Sequence, residues 1–227
     1  MYKYELHCHT SEVSACAHVP AEKVVEYYAS QNYTGIFITD HFVCGRGIPG
    51  GLEWEKWIDK FCSGYETAKS AGDKTGLKVF FGFEYTCYSN NGTDFLIYGL
   101  GKEWLKSHPE IMDMGLRQGL EFMMCEGAFI VHAHPYRESS YIEMIRLLPR
   151  HIHAVEVKNA NRDDTENGAA EMYSKYYGLY RLAGTDNHQG GQQKRFCGIK
   201  TELEINNPSN LRKIAESGNY TLFDEMR

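Results

Sequence analysis

Apolar and polar positions alternate along the chain in two rhythms. Thr34-Gly35-Ile36-Phe37-Ile38-Thr39, residues 77–83, Asp94-Phe95-Leu96-Ile97-Tyr98, Ala128-Phe129-Ile130-Val131, Ala154-Val155-Glu156-Val157 and residues 180–184 are short and mostly apolar, and they predict strands. Residues 2–7 and 199–203 predict two more. An unbroken run such as 34–39 marks a strand covered on both faces. Other segments carry apolar residues at helical spacing. Residues 20–31 begin on Pro20 and set Val24, Val25 and Tyr28 on one side. Residues 54–71 align Trp57, Ile58, Phe61 and Tyr65 with Trp54 into a core-facing stripe. Helices are also expected over 109–126, closed by Gly127, over 141–148, ended by Pro149, over 165–177, stopped by Gly178, and over 210–217. Ser89-Asn90-Asn91-Gly92 predicts a turn, and the glycine-rich residues 46–52 a loop. Alternating strands and helices predict an α/β fold with a mainly parallel sheet. About seven such units in 227 residues suit a small TIM-like barrel, a single domain over 1–227, better than an open sheet with a second domain.

Composition narrows the function. The hydrophobic share of 42% and charged share of 24% are those of ordinary globular chains, so disorder and low complexity are excluded. A net charge of −6 argues against a broad basic surface for nucleic acid, although a local basic pocket for phosphate remains compatible with it. No apolar run reaches the roughly 18–20 residues of a membrane span. The first residues lack the apolar core of a signal peptide, so a cytoplasmic location is expected. Seven cysteines without a Cys-x-x-Cys pair support neither a zinc ribbon nor a disulfide framework.

The histidines carry the chemistry. His7, His9, His41, His132, His134 and His188 each fall within two residues of an Asp or another His. These groups, with Glu84, Glu156 and Asn159, end predicted strands, and in a parallel barrel that rim holds the active site. On an extended segment, residues two apart share a side, so His7 with His9, His132 with His134, and Asp186 with His188 can each reach one ion. Imidazole and carboxylate together suit zinc, iron or manganese. The supply of ligands exceeds what one ion needs, so two or three divalent ions sharing carboxylates are expected.

Glu5-Leu6-His7-Cys8-His9-Thr10, Ile38-Thr39-Asp40-His41, Gly82-Phe83-Glu84, Ala133-His134-Pro135 and Gly184-Thr185-Asp186-Asn187-His188, in that order, resemble the motifs of the PHP (polymerase and histidinol phosphatase) superfamily. The resemblance covers residues 2 to about 190. It implies a distorted (βα)7 barrel, a di- or trinuclear metal centre and phosphoester hydrolysis. By that resemblance His7, His9, Glu84 and Asp186 hold one ion, Glu84 bridges to a second that His134 also holds, and His41 and His188 hold a third. Two family ligands are absent as such. Glu12, Cys16 or His18 could replace the one expected after His9, and Leu96 stands where a histidine is expected, with Asp94 or a water to compensate.

The implied chemistry is attack on phosphorus by metal-activated hydroxide, with His188 or His41 assisting the leaving group if free of metal. Asp40 either ligates or holds His41 in the right tautomer, and His132 is either a ligand or a group that orients one. Arg137, Arg46 and Arg195 lie in expected rim loops and could grip a phosphate, Arg137 first because it follows His134-Pro135-Tyr136. His18, His108, His151 and His153 read as ordinary polar residues. The tyrosines, few of them beside basic clusters, do not make a nucleic-acid platform. The leading expectation is a phosphoesterase for a small phosphorylated metabolite or nucleotide, with no stable nucleic-acid complex. A 3′–5′ exonuclease or nucleotide phosphatase, and a non-catalytic metal-binding module, are the alternatives. No interface pattern indicates an oligomeric state.

Overall fold

The apolar runs become neighbours in one sheet in a computed structural model, which describes residues 1–90 and 92–226. The strands are β1 (Tyr2–Glu5), β2 (Gly35–Ile38), β3 (His41–Cys44), β4 (Lys78–Cys87), β5 (Asp94–Tyr98), β6 (Phe129–Ala133), β7 (Ala154–Asn159), β8 (Tyr180–Gly184), β9 (Arg195–Thr201) and β10 (Tyr220–Met226). The helices are α1 (Ala21–Ser30), α2 (Trp54–Phe61), α3 (Ser63–Thr75), α4 (Lys102–Ser107), α5 (Leu116–Cys125), α6 (Asp164–Tyr177) and α7 (Asn210–Ser217). The strand order is β10-β9-β1-β2-β4-β5-β6-β7-β8, with β3 on the far half of β4. The chain beyond β1 meets the chain beyond β8: Cys8 bridges to Asn187, and the His9 N–H donates to the Asn187 carbonyl at 3.0 Å. That contact bends the sheet into a nearly closed barrel and brings the two ends of the functional segment together.

Both faces of the sheet are covered. Along β5 the period of two sends Leu96 and Tyr98 into the barrel with Tyr4, Phe37 and Val131. Phe95 and Ile97 face outward, beneath the helix layer. Helices α1 and α3 cover β2 with Val24, Val25, Tyr28, Ala68 and Ala71. This explains why the strand runs read as continuously apolar.

The expected mixed α/β barrel is therefore present, but its sheet is less parallel than expected. β4 turns into β5 without a helix, so β4–β5 and β5–β6 pair antiparallel, as do β1–β9 and β9–β10. A strict strand–helix alternation is broken at that hairpin. The turn expected at residues 89–92 includes Asn91, which lies outside the described residues. The single helix expected over 54–71 is two, meeting at Cys62. Over 109–126, residues Pro109–Asp113 form a 3-10 turn and α5 starts after Gly115, whose extended backbone breaks the run. Residues 141–148 form no helix; Met144 and Ile145 stay exposed, while Leu147 and Leu148 pack against the core. Strands β3 and β10 and helix α4 were not expected from the pattern. Among the described residues no helix is long and apolar enough to cross a membrane.

Candidate metal centre

The side chains gather at one end of the barrel, around Glu84. β4 is long enough to pair with β2 at its start and with β3 further on, and the second register sets His41 opposite Glu84. His7 and His9 leave β1 on the same side, as their spacing demands, and their Nε2 atoms lie 3.1 Å apart. Glu84 Oε2 is 3.4 Å from His7 Nε2 and 3.3 Å from His9 Nε2. Asp186 Oδ1 is 3.5 and 3.4 Å from the same two atoms. His134 Nε2 stands 3.0 Å from Glu84 Oε1, and His41 Nδ1 2.9 Å from Glu84 Oε2. The rings of His41 and His188 both stack against His9, at centroid distances of 4.4 and 4.2 Å, and lie 6.0 Å from each other. His134 (φ 28°) and Asp186 (φ 56°) adopt left-handed backbone, rare for non-glycine residues and often found at functional sites.

A set of groups behind these residues fixes their orientation. Glu156 Oε1 accepts from His7 Nδ1 at 2.9 Å, and Glu156 Oε2 accepts the His134 backbone N–H at 3.0 Å. His9 Nδ1 donates to Ser14 Oγ at 3.2 Å, and Ser14 donates onward to Asp40 at 2.6 Å. His188 Nδ1 donates to the Asp186 carbonyl at 2.9 Å. Glu5 takes the backbone N–H groups of His7 at 2.9 Å and Thr185 at 2.8 Å, and so joins the segments after β1 and β8. With these Nδ1 protons engaged, His7 and His9 turn bare Nε2 lone pairs toward each other and toward two carboxylate oxygens. Such a set is repulsive by itself and fits a cation placed among its members.

Without a cation, the surrounding carboxylates draw a proton onto His7 instead. Burial opposes charge on His7, yet Glu156, Asp186 and Glu84 outweigh it and hold its pKa well above the ordinary value. Burial likewise opposes charge on Glu84, and His41 and His7 override it to hold that carboxyl well below the usual range. His9 behaves oppositely: burial and the neighbouring His41 and His188 keep it neutral, the state a ligand needs. Groups able to hold an ion are His7–His9–Glu84, His7–His134–Asp186, Glu84–Asp94–His134 and His9–His41–His188, each with ligand atoms within 4.8 Å of one another.

Not every expected residue arrives here. His132 does not. It stands opposite outward-facing Phe95 inside β6 and so points out of the barrel, whereas His134 lies past the strand end on left-handed backbone. The His132 ring stacks on Phe95 at 4.6 Å and meets Tyr173 edge-on. Burial there lowers its pKa to about 3, and no polar partner meets its Nδ1. Arg195 also lies elsewhere, clamped on Asp224 by two contacts of 2.7 Å and on Asp164, so it faces the outer side of β9. Asp40 is buried beneath the loop after β1; it holds Thr10 and Ser14 and, through Ser14, orients His9 rather than His41. Arg137 and Arg46 do line the cavity of about 420 Å³ at the centre, together with Cys16, Tyr88 and Tyr141. Arg137 pairs with Asp94 at 3.0 Å, and Arg46 stacks over Tyr88. Leu96 is packed inside the barrel, directly opposite Glu84, while Asp94 enters from the start of β5 because that strand runs antiparallel.

Glu5, Ser14 and Glu156 were not assigned roles from sequence. Glu156 at a strand end was the one visible signal. Ser14 and Glu5 become meaningful only once chain segments far apart are adjacent.

The comparisons with known proteins concur. The model of the PHP domain matches residues 5–192. A two-domain protein from Bacteroides vulgatus, containing a predicted PHP-like metal-dependent phosphoesterase, superposes with a TM-score of 0.70 at 14% identity over 98% of this chain and 64% of its own. This chain thus spans less than two thirds of that protein. A predicted metal-dependent phosphoesterase from Bifidobacterium adolescentis gives 0.58 at 13% identity, over 93% of this chain and 94% of its own. An amidohydrolase from Chromobacterium violaceum, with bound sulfate and no metal, gives 0.56 at 14%, over 96% of this chain and 97% of its own. The curated proteins contain no match. With the ordered motifs, the barrel and a family match over most of its length, the chain belongs to the PHP domain family.

Proposed function

We propose that the protein is a metal-dependent phosphoesterase that hydrolyses a small phosphorylated metabolite or nucleotide, using His7, His9, Glu84, His134, Asp186, His41 and His188 to hold two or three divalent ions. The observation that carries this reading is the convergence of those residues around Glu84, with Arg137 and Arg46 at the mouth of the same cavity. The bound ions would supply an activated water and neutralise charge on the phosphoryl oxygens.

The chain's own residues do the rest. Glu156 and the Ser14–Asp40 pair keep His7 and His9 in the tautomer that faces the centre. Arg137 and Arg46 present planar donors to the oxyanion, a geometry that suits bidentate contact with a phosphate. His41 and His188 lie on the open side of the centre, partly exposed, where a leaving-group oxygen would depart. A cavity of about 420 Å³ matches a small phosphoester better than a long nucleic-acid strand, as does the net charge of −6. Sulfate bound to the Chromobacterium violaceum protein, which shares this fold, is an oxyanion of phosphate size.

The test is elemental mass spectrometry of the untagged protein, followed by a panel of phosphoesters. Two or three equivalents of zinc, iron or manganese, turnover of a small monoester, and loss of metal and turnover in Asp186→Ala are expected. Retention of both in Asp186→Ala would sink the ligand set. Bound metal with no turnover of any phosphoester would reject the enzyme and leave a binding module.

A further inference from the structure

A second cavity, of about 450 Å³, opens beside the central one, and Cys16, His41, Val43 and Arg46 line both. Along β3 the period of two puts His41 and Val43 on one side, so an apolar wall continues directly from a candidate ligand. Val13, Pro49, Trp57 and Phe61 complete the apolar lining. Trp57 and Phe61 stand one turn apart on α2 with their rings stacked at 5.9 Å, and Phe42 packs against both, at 5.0 and 5.2 Å. All three belong to the buried core, so packing fixes this wall in place.

The polar groups around this cavity are engaged elsewhere. Both carboxylate oxygens of Glu12 accept the Ala21 N–H at 3.0 Å. Ser14 Oγ donates to Asp40 at 2.6 Å and accepts the His41 backbone N–H at 3.2 Å. Arg46 stacks over Tyr88, which lines the central cavity. Lys60 is exposed to solvent. The wall therefore offers few partners to the hydroxyls of a sugar or the edge of a base, and a polar group buried without a partner costs free energy.

We propose that the second cavity holds the organic part of the phosphoester, and that this part is an uncharged alcohol bearing an aromatic ring, seated against Trp57 and Phe61. This inference rests on the phosphoesterase reading above and gives that site a substrate class. A phosphoryl group in the central cavity puts the ester oxygen at the junction, beside His41. Hydrolysis breaks the phosphorus–oxygen bond there: the water oxygen goes to phosphorus and a proton to the departing alcohol. Burying a ring against rings supplies binding that a short alkyl group or a sugar does not.

Two measurements test it. Phenethyl phosphate, ethyl phosphate and glucose 6-phosphate all release primary alcohols, so differences among them report the pocket rather than the ease of bond breaking. On the metal-loaded protein, kcat/KM should favour the phenethyl ester over each of the others by about 10–100-fold. Val43→Phe, which narrows the cavity beside the junction, should cut that preference roughly tenfold. The second measurement is made on the unaltered, zinc-loaded chain with phenylpropylphosphonate, in which a methylene replaces the ester oxygen and blocks hydrolysis. It should shift the NMR signal of the Trp57 indole N–H, identified by its loss in Trp57→Phe, whereas propylphosphonate should leave that signal in place. Turnover of ethyl phosphate with no preference for the phenethyl ester, a preference for glucose 6-phosphate, or an unmoved Trp57 signal overturns the aromatic pocket and leaves the phosphoesterase standing. Turnover of no phosphoester with the Trp57 shift present rejects the enzyme and keeps the pocket as a binding site. Absence of turnover and of the shift overturns both.

Discussion

At the scale of single residues, the centre depends as much on what stands behind the imidazoles as on the imidazoles. Glu156 touches no position where an ion would sit, yet it fixes the tautomer of His7, the backbone at His134 and the amide of Asn159, which donates at 2.9 Å. Glu156→Gln keeps the shape but replaces an acceptor-only carboxylate by a group that also donates. Metal affinity should fall by roughly 10–100-fold, the usual cost of losing such a partner, with the fold retained; a metal titration with circular dichroism as control measures both. The candidate ligands themselves were legible in the sequence because His-x-His and Asp-x-His pairs advertise a shared side on extended chain. Their supports were not: Ser14 and Glu5 have ordinary local contexts, and Glu156 showed only its place at a strand end. His132 exposes the limit of the same argument. Two residues of a strand share a face only while the strand continues, and at His134 the backbone turns left-handed, so the pair parts.

At the scale of elements, close contact between strands sets the ligand positions. Gly184 ends β8 where the chain passes His7: an added Cβ would stand 2.5 Å from His7 Cβ and 2.5 Å from Glu156 Oε1. Gly184→Ala should therefore push His7 off position, lowering stability by about 1–3 kcal/mol, as overpacking does, together with bound metal. Urea unfolding and metal content would read the two effects, and unchanged values for both would show that β8 can yield there. The outer strands make a different contribution. The Arg195 guanidinium holds the Asp224 carboxyl down at about 2 from its ordinary 3.8, against the opposing effect of partial burial. A depressed acid stabilises the fold above its unfolded value and loses that contribution as pH falls. Asp224→Asn should therefore lower stability at neutral pH by roughly 1 kcal/mol, given solvent screening of the pair. The difference from the unaltered protein should shrink as pH drops from about 4 toward about 2. Denaturant melts at several pH values would measure it. Arg195 was expected at the rim because it falls in an expected rim loop, and β10, the strand that captures it, was not read from the sequence at all: its exposed edge shows no continuous apolar run.

At the scale of the whole molecule, the centre joins segments from nearly the entire chain: the ends of β1, β6 and β8, the middle of β4 and the start of β3. An ion held there ties together the strands whose meeting closes the barrel, so it should bind the folded state and not the unfolded one. Removing it with a chelator should lower the midpoint of thermal unfolding. At a hundredfold excess over Kd the linkage is worth about 2.7 kcal/mol, or roughly 5–10 °C for a chain of this size. Calorimetry before and after chelation checks this, and an unchanged midpoint would mean that the barrel closes without help from metal. The sequence by itself determined the layered α/β architecture, because buried strands and amphipathic helices leave periodic traces, and it determined which residue types could hold metal, because ligand chemistry is local. Only the tertiary structure decided which of them meet. The β4–β5 hairpin brought Asp94 in from the start of a strand, the outward alternation of β6 took His132 away, and the pairing of β9 with β10 carried off Arg195. Each of those outcomes turns on strand direction, register or a partner far away in the chain. Such long-range choices are settled by packing against the other strands and leave no mark in a local run of residues.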